Sequence, residues 1–132
     1  MANLINNGTE FTQAYATHRC TPSRAGLLTG RYPFRYGLGS FPISRETPTG
    51  LNLNEKLLPE FLKELGYSTH AVGKWHLGHC NASYLPNSRG FDQFYGHLNG
   101  AIRTGIHSFF ICKLPMSNII LAKNCVFQKK LH

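Results

Sequence analysis

The run from Cys20 to Arg31, CTPSRAGLLTGR, constrains this chain more than any other segment. Pro22 has a fixed φ and no N–H, so it suits the first turn of a helix and disrupts one further in. Gly30 supplies the left-handed residue that helices favour just past their last turn. Together they predict a short helix over residues 22–29, with Cys20 just ahead of its N-terminus. A side chain in that place faces unsatisfied backbone N–H groups and the positive end of the helix dipole. Arg24 and Arg31 add fixed positive charge. Such surroundings suit a nucleophile that attacks an anionic ester, sulfate or phosphate. The same residues also fit an inert cysteine beside a basic helix, and from composition alone that is the commoner case.

The flanking pattern places this helix in an α/β unit. Phe11 to Ala16 (FTQAYA) alternates and is rich in β-formers, which predicts a strand. Residues 32–54 carry Gly and Pro without a sustained period and read as loop. Pro59 to Leu65 (PEFLKEL) predicts a second short helix, with Phe61, Leu62 and Leu65 on one face and Gly66 at its end. Ser68 to Val72 follows as a buried strand, from whose carboxyl end Gly73-Lys74-Trp75-His76-Leu77-Gly78 departs. Strand, helix, helix, strand is the order of a parallel α/β unit, in which ligands gather beyond the carboxyl ends of strands. Cys20 and the Lys74/His76 pair both fall there. Gly90 to Asn99 (GFDQFYGHLN) is aromatic and is expected to pack on the same core.

Length and charge narrow the function classes. A chain of 132 residues with 42% hydrophobic content holds one small domain. Its formal net charge is +8, which raises the question of a nucleic-acid partner. Arg103, Lys113, Lys123, Lys129 and Lys130 supply five of those charges, leaving +3 for residues 1–102. The excess is a property of a C-terminal stretch without acids or periodicity, so no nucleic-acid partner is expected. Cys20, Cys80, Cys112 and Cys125 form no CxxC pair and no disulfide framework. His76, His79 and Cys80 lack the second ligand pair of a zinc site. Ile106 to Leu121 is interrupted by Lys113 and Pro115, so no membrane span is expected. The start MANLINNGTEF has neither the basic nor the apolar part of a secretory leader.

CTPSRAGLLTGR resembles the sulfatase signature, in which a Cys followed by x-P-x-R is converted to formylglycine in the endoplasmic reticulum. GYSTHAVGKWHLG, from Gly66 to Gly78, is similar to the second sulfatase signature. The likeness runs from about Leu4 to Ile102, and RGFDQFYGHLNG is most like the arylsulfatase B (N-acetylgalactosamine-4-sulfatase) group. It implies an alkaline-phosphatase-like α/β sulfatase fold, here incomplete. Residues 4–102 would be part of the N-terminal catalytic domain and 103–132 an unrelated basic tail. It implies sulfuric ester hydrolysis, with sulfated glycans and N-acetylgalactosamine 4-sulfate of glycosaminoglycans as the substrate class.

Carried onto this chain, the resemblance assigns four catalytic residues. Cys20, as formylglycine, would hydrate to a diol that attacks sulfur and touches the metal. Arg24 would stabilise the diol oxygens, and Lys74 would bind diol and sulfate oxygens. His76 would hydrogen-bond the second diol hydroxyl and deprotonate it as sulfate leaves. A Ca²⁺ ion held by carboxylates would polarise the ester. The formylglycine-generating enzyme becomes an expected partner, and lysosomal or secreted placement is implied. Asn7-Gly8-Thr9 and Asn81-Ala82-Ser83 are glycosylation sequons consistent with that route.

The chain also departs from the family. No Asp-Asp pair precedes Leu4, and the family's later Asp-Asn pair, with a further His and Lys, has no counterpart. Asp92 is the only aspartate, whereas Ca²⁺ takes roughly six to eight oxygen ligands. The second expectation is therefore a truncated, catalytically dead fragment that binds sulfated glycans or another sulfatase.

Overall fold

The structure is a computed structural model that describes residues 2–39, 41–44, 46–100 and 110–112. Its helices are α1 (Ala2–Asn6), α2 (Cys20–Thr29) and α3 (Leu58–Glu64), and its strands β1 (His70–Lys74), β2 (Gln93–His97) and β3 (Phe110–Cys112). Tight 3₁₀ turns cover Pro33–Tyr36, Ala82–Tyr84 and Pro86–Arg89.

Helix α2 stops as its sequence requires. Gly30 takes φ 66° and returns its N–H to the Gly26 carbonyl at 2.9 Å. Its beginning differs from expectation. The helix opens at Cys20 rather than at Pro22, so the cysteine is the first helical residue and not the one ahead of it. Pro22 is still in the first turn, where its missing N–H costs nothing. Thr21, Pro22 and Ala25 form the buried face.

Strands β1 and β2 are parallel, with His70 opposite Gln93 and Lys74 opposite His97. Strand β3 pairs antiparallel with the far side of β2. It lies past residue 102, in sequence whose pattern suggested no strand; its three residues are too few to show a period. Gly73 and Gly96 are register partners, and a methyl on Gly96 would overlap the Gly73 carbonyl. The pairing outlasts the strands, since Trp75 donates to the His97 carbonyl at 2.9 Å and His76 to the Leu98 carbonyl at 3.0 Å.

Ala25, Leu51, Leu57, Trp75, Leu77 and Phe94 make the core. Trp75 meets Phe91 and Phe94 edge-on, and its indole N–H reaches the Gly78 and Tyr84 carbonyls at 3.2 and 2.9 Å. Phe91, Phe94 and Leu98 bring the aromatic segment onto this core, as expected.

Three expectations change. Residues 11–16 form no strand, and Phe11 and Tyr15 are 75% and 89% exposed. Alternation stabilises a strand only where a partner and a packing face exist, and the described residues supply neither. The strand expected at 68–72 begins at His70 and runs to Lys74, and it is half open, with Val72 83% exposed. Helix α3 forms, held by Glu60, whose carboxylate accepts the Leu57 N–H at 2.5 Å. Its expected apolar face is nonetheless largely solvent-facing at Phe61 and Leu65.

Candidate active site

The carboxyl ends of β1 and β2 lie side by side, and α2 is bonded to the end of β1 and the segment that leaves it. Cys20 and Arg24 are four residues apart on α2, hence on one helix face. Arg24 uses that position to donate from Nη1 to the Lys74 carbonyl at 2.5 Å. Lys74 ends β1 and donates from Nζ to the Gly100 carbonyl at 2.7 Å. The residue after the cysteine reaches the same place, because the Thr21 hydroxyl donates to the His76 carbonyl at 2.9 Å. The structure thus brings together the segments of all four expected residues: Cys20, Arg24, Lys74 and His76.

His76 is held unusually. Its φ is 57°, the only described non-glycine value in the left-handed region. The buried neighbours Trp75 and Leu77 enter the core on either side of it. Its Nε2 lies 2.9 Å from the Ile43 carbonyl. A carbonyl only accepts, so Nε2 carries the proton and Nδ1 is left as an acceptor in the neutral ring. That Nδ1 is buried and has no partner among the described residues. Gly100 lies against the ring, and a methyl there would overlap the imidazole.

The electrostatics follow from this crowding. Burial lowers the His76 pKa below 6.5, opposed by the Ile43 carbonyl and reinforced by Lys74, Arg24 and His79. The same causes, burial first and then Lys74 and Arg24, lower His97. The site is therefore basic through Arg24 and Lys74, with neutral imidazoles beside them. Arg24 Nε, like His76 Nδ1, is buried without a partner among the described residues. Arg24 Nε is a donor and His76 Nδ1 an acceptor, so a ligand that offers an oxygen to the first and a hydroxyl proton to the second satisfies both.

The acids lie elsewhere. Glu55 pairs with Arg31, Glu64 with Lys56, Asp92 with Lys63, and Glu60 with the buried Arg89. Among the described residues no group of three or more His, Cys, Asp or Glu side chains could hold a metal. The described residues therefore do not fit a calcium ion. Asn7 and Asn81 are both exposed; Asn81 Oδ1 accepts from the Ser83 N–H at 3.0 Å. No described helix is long and apolar enough to cross a membrane.

Sequence reasoning missed Thr21, Ile43, His97 and Gly100. Ile43 and Gly100 act through main-chain carbonyls and leave no side-chain signal. His97 was detectable only from strand register, which sets it opposite Lys74.

A cysteine-led helix, a lysine and a histidine gathered at the carboxyl ends of parallel strands form a basic site in an α/β unit. The sulfatase family model matches residues 1–111, and the chain belongs to the sulfatase family. Arylsulfatase J of Mus musculus is 44% identical over 98 residues, covering 74% of this chain and 16% of that protein. Arylsulfatase G of Homo sapiens is 45% identical over 95 residues, covering 70% and 18%. N-acetylgalactosamine-6-sulfatase of Mus musculus is 45% identical over 104 residues, covering 73% and 20%. The chain thus spans 16 to 20% of the length of these relatives. The crystal structure of the PsFucS1 sulfatase from Pseudoalteromonas sp. superposes with a TM-score of 0.60 at 39% identity, covering 74% of this chain and 20% of that one. Ps i-CgsB in complex with k-i-k-neocarrahexaose gives 0.58 at 42% identity, covering 61% and 18%. The fold is the alkaline-phosphatase-like α/β fold of sulfatases, represented by part of its sheet with flanking helices.

Proposed function

We propose that this chain carries the nucleophile and sulfate contacts of a sulfuric ester hydrolase acting on sulfated glycans. The observation that carries the reading is the meeting of α2 with the end of β1, where Arg24 is bonded to the Lys74 carbonyl and Thr21 to the His76 carbonyl. Cys20, half-buried and first in its helix, is the residue to be converted to formylglycine, which supplies a hydrated aldehyde as nucleophile. Arg24 stabilises the diol oxygens, and Lys74 holds diol and sulfate oxygens and offsets charge that grows as the ester bond breaks. His76, neutral with Nδ1 unprotonated, is the proton acceptor. A calcium ion would draw its carboxylates from outside the described residues. The proposed route is secretory or lysosomal, with a formylglycine-generating enzyme as partner and Asn7 and Asn81 as glycan acceptors.

A second reading is favoured by the pairing of Glu55, Glu60, Glu64 and Asp92 away from the site. It is sulfate binding without turnover. One experiment separates the two. The mass of the Cys20 peptide from chain made in secretory cells is measured, and turnover of an aryl sulfate is compared with Cys20→Ala. Formylglycine with Cys20-dependent turnover supports hydrolysis. Unmodified cysteine with sulfate binding intact leaves the binding reading.

A further inference from the structure

Thr21 differs from the other residues around Cys20 in what it touches. Its hydroxyl is fully buried and uses both of its capacities, accepting the Ile43 N–H at 3.1 Å and donating to the His76 carbonyl at 2.9 Å. The Ile43 carbonyl in turn takes the His76 ring at 2.9 Å. The three bonds close a loop through a threonine, the backbone N–H and carbonyl of Ile43, and both the backbone and the ring of the histidine. His76 needs such a loop. Its left-handed backbone is unfavourable for a residue with a Cβ and persists only where surroundings fix it. Its ring must also keep one tautomer if Nδ1 is to remain an acceptor.

We propose that Thr21 is a positioning residue, which ties the nucleophile-bearing helix to His76 and fixes the backbone and ring of that histidine. The proposal rests on the sulfatase reading for its role in turnover, but not for its geometry. Thr21 is adjacent to Cys20, so the tether sets nucleophile and proton acceptor in register across 55 residues of chain. A valine there keeps the shape and loses both bonds, while a serine keeps both bonds.

The test is nitrogen-detected NMR of the His76 imidazole in the full chain, comparing Thr21→Val and Thr21→Ser with the parent. We expect one dominant tautomer, protonated at Nε2, in the parent and in Thr21→Ser. Thr21→Val should show mixed tautomers and a titration moved up toward 6.5, as the ring leaves its buried place beside Lys74, Arg24 and His79. In chain that turns over an aryl sulfate, Thr21→Val should lower kcat about tenfold to a hundredfold with KM nearly unchanged, and Thr21→Ser should restore it. An unaltered His76 tautomer and titration in folded Thr21→Val overturns the proposal. Should Thr21→Val not fold, the parent still decides. A Thr21 hydroxyl proton that exchanges slowly supports the tether, and one in fast exchange with water overturns it. Loss of turnover in the parent alone counts against the sulfatase reading and leaves the NMR result standing.

Discussion

The parallel pair β1–β2 has two ends, and they are built on opposite principles. At the amino end the Thr69 N–H donates to the Asp92 carboxylate at 2.9 Å, and the Asp92 N–H returns to the Thr69 carbonyl at 2.8 Å. The Thr69 hydroxyl bonds Gly90 and Asp92, and Lys63 pairs with Asp92 at 2.7 Å. Opposite charges are matched there. At the carboxyl end Arg24 and Lys74 stand beside His76 and His97, and among the described residues no carboxylate pairs with them and two buried nitrogens have no partner. Unmatched charge and unpaired polar atoms weaken a fold, and the proposed function accounts for their concentration at one end. The amino end holds the strands together; the carboxyl end carries the residues of the proposed site.

The largest expected difference between the ends comes from Cys20→Ala. It should lower turnover of an aryl sulfate at least about a thousandfold, and leave the thermal midpoint nearly unchanged. Turnover that survives the substitution would detach the nucleophile from this end. Lys74→Met comes next: sulfate affinity by calorimetry should fall about tenfold or more, while stability changes by less than about 1 kcal/mol. At the other end Thr69→Val should do the reverse, costing about 1–3 kcal/mol in urea unfolding with sulfate affinity intact. A loss of sulfate binding in Thr69→Val would show that the ends are coupled and the division false.

The ends should also fail at different pH. The His76 pKa is lowered in the fold, so the neutral form is favoured there and the unfolded chain binds the extra proton first. Its contribution is complete above 6.5 and is lost as pH falls through the lowered folded value. His76→Gln should flatten stability in that window. Asp92 is held at about 2, first by its bond to Lys63 and then by the Thr69 N–H. The carboxylate's contribution is complete above 3.8 and is lost as pH falls toward about 2, a slope that Asp92→Asn should remove. The smallest effect belongs to Lys56→Ala. It breaks an exposed pair with Glu64 and should shift stability by less than about 1 kcal/mol, at either end's midpoint.

What was legible in the sequence was what depends on near neighbours. Pro22 and Gly30 announced α2, and Pro59 and Gly66 announced α3, because caps act within one turn. The two motifs placed Cys20, Arg24, Lys74 and His76 in one neighbourhood, and the structure brings their segments together. What depends on distant partners was not legible. FTQAYA has the pattern of a strand but lacks a described partner. Strand β1 runs two residues past its expected end because β2 continues beside it and Gly73, with φ 119°, lets the backbone turn. The roles of Ile43 and Gly100 reside in carbonyls, which every residue possesses, so no side-chain pattern could single them out.

The order in which the site comes into being follows from the separations it spans. Thr21 and His76 are 55 residues apart, Arg24 and Lys74 are 50, and His76 and Ile43 are 33. Helix α2 closes through contacts four residues apart and forms on the fast timescale of local structure. The histidine's surroundings need three long loops to close, each with its entropy cost, and so belong to the slow phase of folding. During that interval Cys20 sits on a segment that can already be helical, yet stands without His76, Lys74 or Gly100 around it. An enzyme that must reach the cysteine has its opening in time rather than in space.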